Sequence, residues 1–231
     1  MSISNSIRES IENGSWIREM FEVGERLKKE RGTENVFDFS LGNPILEPPE
    51  KFHKELLNLI KFPKKGMHRY MPNAGFNETR EFIAGLMKDE TGLNFENEDI
   101  VMSVGAGGGL NVVFKSLLNY GDQVLTLAPY FVEYSAYVQN HGGSLSLVQT
   151  TPEFQPDLDS IEAAINEFTK IVIINSPNNP TGAVYSQETL NRLGQLLLCK
   201  EKEFNHPIYL LSDDIYRKIV FDGKVNCNVF L

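Results

Sequence analysis

From about residue 98 onward, short β-branched runs alternate with helical stretches, and this alternation limits the fold more than any other feature of the 231 residues. The runs are "DIVMSV" (99–104), "DQVLTLA" (122–128), "SLSLVQ" (144–149), "KIVIINS" (170–176) and "PIYLLSDD" (207–214). Between them lie "GAGGGLNVVFKSLL", "PYFVEYSAYVQNHGG", "DLDSIEAAINEF" and "SQETLNRLGQLLLCKEKEF", each carrying apolar residues at helical spacing. Strands that are apolar almost throughout, each followed by a helix, predict a mainly parallel sheet covered on both faces. The expected class is α/β, a three-layer sandwich. In such sheets ligands gather beyond the carboxyl ends of the strands.

The part before residue 98 reads differently. "SIENGSWIREMFEVGERLKKERG" places Ile17, Met20, Phe21, Gly24 and Leu27 on one helix face, with Gly32 as a stop. "NVFDFSLGNPILEPPE" reads as a short strand entering a loop broken by Gly42, Pro44, Pro48 and Pro49. Helices follow at "PEKFHKELLNLI" and "ETREFIAGLMKDE", the second with Phe82, Ile83, Leu86 and Met87 on one face.

Lys+Arg 22 against Asp+Glu 31 gives a net charge of -9, which argues against nucleic acid or an anionic membrane as partner, since both require a concentrated basic face. No apolar run approaches a membrane span, and "MSISNSIRES" has no signal-peptide core, so a cytoplasmic protein is expected. Cys199 and Cys227 lie far apart and read as two reduced thiols. His53, His68, His141 and His206 are scattered without metal-ligand spacing.

Polar residues collect at the ends of the strand runs. "SVGAGGGLN" (103–111) turns a strand into a helix through four glycines, and helix-start amides attract a phosphate. A dinucleotide fingerprint would need a third glycine where Leu110 stands, so a single phosphate fits better. Phe131 reads either as core or as a flat surface for a planar ligand. In "NSPNNPTG" (175–182), Pro177, Pro180 and Gly182 shape a turn that could fix an asparagine amide toward a ligand oxygen. Asp213, after an apolar run, is a carboxylate in need of a cationic or donating partner, and Tyr216 offers a hydroxyl nearby. A phosphate, a stacked ring, a ring oxygen and a ring nitrogen are the four groups of pyridoxal phosphate.

"SLGNP", "RYMPNAGFNETREFIA", "SVGAGGGLN", "APYFVEY", "NSPNNPTG" and "SDDIY", in that order, resemble the fold-type I, class I/II pyridoxal-phosphate-dependent aminotransferases from about residue 15 to about residue 223. The resemblance implies that Ala106 and Gly107 present amides to the phosphate of pyridoxal 5'-phosphate and that Phe131 stacks on its ring. It implies that Asn179 and Tyr216 hydrogen-bond the phenolic oxygen and that Asp213 pairs with the pyridinium nitrogen. Tyr70 would reach the phosphate of a neighbouring subunit, making a homodimer, while Gly42 and Asn179 would lie on the substrate side. Cis peptides are expected at Pro129 and Pro180. The implied reaction moves an amino group between an amino acid and a 2-oxo acid.

One family feature is missing. The Schiff-base lysine of a Ser-x-x-Lys motif does not occur among the residues after Tyr216, and Lys218 and Lys224 do not match its position. The expectation is therefore a chain truncated before that lysine, with residues 1–46 an arm and small-domain segment and 47–231 an incomplete cofactor-binding domain. Two family strands would be absent between the first and fifth runs, leaving the first without neighbours. Two other readings share these contacts: a carbon-sulfur lyase of the same fold, and a catalytically silent cofactor-binding or dimerisation relic. A nucleotide-binding Rossmann protein is disfavoured by the broken glycine spacing.

Overall fold

The computed structural model describes residues 3–12, 16–39, 42, 46–223 and 229–230, and in it four of the five apolar runs become strands. They are β1 (Gln123–Ala128), β2 (Ser144–Gln149), β3 (Thr169–Asn175) and β4 (Tyr209–Asp213). The sheet order is β2-β1-β3-β4, and every neighbouring pair is parallel. Parallel neighbours require a crossover, and the intervening helical segments supply it.

Alternate residues of each strand face opposite layers. Val124, Ile171 and Ile173 pack against Leu110 and Phe114 of α5 (Gly105–Leu117) and Tyr134 and Val138 of α6 (Glu133–Asn140). On the other face, Leu125, Leu127, Val172 and Ile174 meet Ile161 of α7 (Leu158–Ala164) and Leu190, Leu193 and Leu197 of α8 (Gln187–Phe204). The expected three-layer arrangement is therefore present. Local chemistry sets the helix ends: Asp157 caps α7 by accepting from the Ser160 amide at 3.3 Å, and Ser186 caps α8 by accepting from Thr189 at 3.1 Å. Asn205 ends α8 in the left-handed region, at φ 57.

The first run departs from expectation. Among the described residues, 100–104 form no strand, and Val104 is 95% exposed. A strand needs a partner for its amides and carbonyls, and no strand pairs with this segment. Its polar groups are instead held by α4 (Asn77–Thr91) and the turn before it. Arg80 donates to the carbonyls of Ile100 at 2.8 Å and Asn97 at 2.7 Å, and the Met102 amide donates to the Ala74 carbonyl at 2.9 Å. On α4 itself the expected apolar face is only partly covered, since Phe82 and Leu86 are exposed while Ile83 and Met87 are half-buried.

The chain divides into two compact units, Met1–Arg69 and Tyr70–Leu231. The first holds α1 (Asn5–Glu12), α2 (Trp16–Arg31) and α3 (Glu50–Lys61). Gly32, at φ 83, follows the end of α2 as expected. Gly24 is buried on α2 because Asp38 lies where a side chain would go, and Lys28 pairs with that same Asp38 at 2.9 Å. The short strand expected from Asn35 does not form among the described residues; Phe39 is 94% exposed and no ladder partner stands beside it. Cys227 and most of the "SLGNP" turn lie outside the described residues, and Cys199 is a free, exposed thiol.

Candidate functional site

Asn175 and Asp213 end their strands opposite one another, paired in register across β3 and β4. Asn175 is 6% exposed and uses both ends of its amide. Its Nδ2 donates to the Asp213 carbonyl at 2.7 Å, and its Oδ1 accepts from the Asn179 amide at 2.7 Å. A buried amide satisfied at both ends holds its neighbours in fixed register.

The turn that follows divides its labour between two asparagines. Asn178 faces inward, its Oδ1 accepting from the Thr181 amide at 3.1 Å and the Thr181 hydroxyl at 2.8 Å. Gly182 closes the loop at φ 72, and its amide donates to the Asn178 carbonyl at 2.8 Å. Asn179 is left with its side chain directed elsewhere, Nδ2 lying 3.5 Å from the Tyr216 hydroxyl, a long and weak contact. Cis peptides precede Pro129 and Pro180, as expected, and also Pro177.

Asp213 is 8% exposed. Its Oδ2 accepts from the Tyr134 hydroxyl at 2.6 Å, and among the described residues no donor reaches its other oxygen. Tyr134 is 1% exposed, and burial, then the hydrogen bond to Asp213, push its hydroxyl far above the usual tyrosine range. Tyr134 is therefore the donor and Asp213 the acceptor. Among the described residues no cation pairs with this carboxylate, and Arg217 pairs instead with Glu90. The neighbouring Asp214, also partly buried, has its carboxyl raised by that burial despite accepting from Ser212 at 2.5 Å.

Across from β4 stands the start of α5. Gly105 opens it at φ 68, and no side chain caps its first amides. A Cβ at Gly107 would lie 3.0 Å from the Tyr137 hydroxyl, so a side chain there would require that hydroxyl to give by a few tenths of an ångström. Ala106, Gly109, Leu110 and Val113 share a cavity of about 390 Å³ with Leu211, Ser212, Asp213, Asp214 and Ile215. Free helix-start amides thus share one cavity with an unneutralised carboxylate.

Of the residues singled out in the sequence, Ala106 and Asp213 line this cavity. Phe131 meets Tyr134 edge-on, with ring centroids 5.5 Å apart. A continuous series of contacts runs from Phe131 through Tyr134, Asp213, Asn175 and Asn179 to Tyr216. Tyr70 stands fully exposed outside that series, and Gly42 belongs to the other unit. Sequence reasoning missed Tyr134 and Asn175. Their signals were present: Tyr134 lies three residues after Phe131, and Asn175 is the polar residue that follows the apolar run 171–174 at the carboxyl end of β3.

Residues 34–229 match the sequence model of the family described as aminotransferase class I and II. The chain belongs to that family. Within it, the chain is 36% identical over 185 residues to an aspartate/prephenate aminotransferase of Thermus thermophilus, covering 79% of this chain and 46% of that protein. It is 30% identical over 210 residues to a probable aspartate aminotransferase of Methanocaldococcus jannaschii, covering 91% and 52%. Among solved aminotransferases, one from Eubacterium rectale superposes with a TM-score of 0.91 at 39% identity, over 98% of this chain and 58% of that one. The aspartate aminotransferase of Thermotoga maritima gives a TM-score of 0.84 at 30% identity, over 99% and 58%. The chain spans about half the length of the curated aminotransferases it matches.

Proposed function

We propose that these residues form the pyridoxal 5'-phosphate cradle of an enzyme that transfers an amino group between an amino acid and a 2-oxo acid. The observation that carries this is Asp213: a nearly buried carboxylate with a neutral donor on one oxygen and, among the described residues, no cation paired with it. A lone buried charge is costly, and a ligand that brings a protonated nitrogen relieves it.

The donor set fits the cofactor. Uncapped amides at Ala106 and Gly107 suit a phosphate, Asn179 and Tyr216 suit a phenolic oxygen, and Phe131 lies at the end of the same contact series. When bound, the cofactor supplies an electron-accepting ring for the carbon that bears the substrate amine. In this arrangement Asp213 keeps the ring nitrogen protonated, while Asn179 and Tyr216 orient the ring through its oxygen. Amides of the first turn of α5 anchor the far end by charge and hydrogen bonding.

The family likeness supports the rest of this assignment. Residues 1–46 serve as arm and small-domain segment and 47–231 as the cofactor-binding domain, a functional division separate from the packing division at Arg69. Tyr70 serves a second copy in a homodimer, Gly42 lies on the substrate side, and the protein works in the cytoplasm. Among the described residues no helix is long and apolar enough to cross a membrane.

Equilibrium dialysis of the full chain against pyridoxal 5'-phosphate tests the cradle. One equivalent is expected to bind, with at least a tenfold loss in Asp213→Ala at unchanged circular dichroism. Binding that is indifferent to Asp213 overturns the assignment. Borohydride reduction of the loaded chain, followed by peptide mapping, then shows whether any lysine of these 231 residues bonds the aldehyde.

A further inference from the structure

We infer that Tyr134 is a positioning residue that sets how strongly Asp213 holds a ligand proton, by occupying one carboxylate oxygen and leaving the other for the ligand. This rests on the cofactor assignment above.

Three features of the geometry carry it. The Tyr134 hydroxyl lies 2.6 Å from Asp213 Oδ2, and the pair is nearly sealed from water, at 1% and 8% exposure. Tyr134 is fixed from its own helix and from the sheet: it packs with Val138, Ile171 and Ile173, and the ring of Phe131 meets it at an interplanar angle of 81°. Asp213 is held independently at its backbone, whose carbonyl accepts from Asn175 Nδ2 at 2.7 Å, so the strand end that carries the carboxylate is fixed apart from Tyr134. A hydrogen bond donated to one carboxylate oxygen withdraws charge from the whole group and weakens its pull on a proton at the other oxygen. Tyr134 therefore moderates Asp213 as well as aiming it.

The charged and titratable groups around the pair are few. Among the described residues, Tyr185 and Tyr216 act on Tyr134 electrostatically, and Asp214 lies next to Asp213 in the chain. Arg217 and Lys218 are engaged with Glu90. None of these reproduces the effect of removing one hydroxyl donor.

The sign of the effect separates moderation from mere packing. In Tyr134→Phe, Asp213 loses a donor and becomes more basic, so a ring nitrogen held by it should keep its proton to higher pH. The expected rise is ~0.5 to 1 pH unit, the size of one hydrogen bond. If Tyr134 only filled space, its loss would loosen Asp213, admit water and lower that midpoint or leave it unchanged. The measurement is the ¹⁵N chemical shift of ring-labelled pyridoxamine 5'-phosphate bound to the full chain, followed against pH. A second variant carries 3-fluorotyrosine at position 134, which keeps the shape and donates more strongly, so it should lower the midpoint. It also decides the question if the phenylalanine variant does not fold. Opposite shifts in the two variants support the inference. A fall or no change in Tyr134→Phe, or no fall with fluorotyrosine, overturns it while the cofactor assignment stands. Failure of the unmodified chain to bind the labelled amine overturns both.

Discussion

Arg217 and Glu90 meet across 127 positions of chain, guanidinium Nη1 lying 2.5 Å from carboxylate Oε2. Lys218 adds a second contact to the same carboxylate at 3.4 Å. Together they tie the turn after Asp213 to α4, and Tyr216 rides on that turn. The Arg217 hydrogen bond, with Lys218 behind it, holds the Glu90 carboxyl below its usual range. Glu90→Gln should leave the melting temperature nearly unchanged, because pairs in contact with water add little to global stability. Hydrogen exchange should nevertheless quicken several-fold at the amides of Arg217 and Ile219, which close the turn onto Asp214 and Tyr216. Raising the salt concentration in the unmodified chain should have the same effect.

Adjacent asparagines should respond oppositely to truncation. Asn178→Ala removes the acceptor of two Thr181 hydrogen bonds at a buried position and should cost about 1–3 kcal/mol in a denaturant titration. Asn179→Ala loses only a 3.5 Å contact to Tyr216 and should cost less than about 0.5 kcal/mol. Binding of pyridoxal 5'-phosphate, however, should weaken several-fold in the Asn179 variant. Equal losses of stability would contradict this division of roles.

Alkaline pH should weaken the fold through Tyr185. This side chain is buried against the α8 face of the sheet, and burial pushes its hydroxyl up to about 12, against an opposing hydrogen bond from Asn178. The folded chain keeps the proton longer than the unfolded chain does, so the stabilisation is complete below about pH 10 and is lost by about pH 12. Roughly 3 kcal/mol should disappear across that window. Denaturant midpoints measured from pH 8 to 12 should show the decline, and Tyr185→Phe should make it shallower. Tyr134 shifts in the same direction and adds to the slope at the alkaline end.

Asp214 shifts in the same direction at the acid end of the scale. Because burial raises its carboxyl, the folded chain binds that proton more tightly than the unfolded chain, and stability is lost as pH climbs through the folded value. Asp214→Asn keeps an acceptor for the Ser212 hydroxyl and removes the charge, so it should melt higher at pH 7. The advantage should shrink as pH falls into the carboxylate range. An advantage that persists at acid pH would point to packing instead.

Much of the sheet was legible because its central strands β1 and β3 are apolar almost throughout, the mark that burial on both faces leaves on a parallel strand. Residues 100–104 carry the same mark without forming a strand. Pattern records which residues suit a strand, whereas pairing depends on a neighbour elsewhere in the chain. Phe37 and Phe39 show the same limit. At the site, Asp213 was legible as a carboxylate that needed a partner, but the partner proved to be the neutral Tyr134, 79 positions away, and not a cation. Asn175 was hidden for a related reason: both its contacts go to backbone groups, and backbone leaves no trace in residue identity.

Chain order also decides when the pocket can exist. β1, β2 and β3 are complete before β4 is made, and with them come Tyr134 and the amide of Asn175. Until Asp213 arrives, 79 and 38 positions later respectively, each of these polar groups lacks the partner that justifies its burial. Among the described strands, the last in sequence is thus the one that brings the carboxylate. A molecule held by Asp213 can bind only a sheet that has already accepted β4. By mass action such a molecule favours the four-stranded sheet over its three-stranded precursor, so its binding and the docking of β4 are linked equilibria.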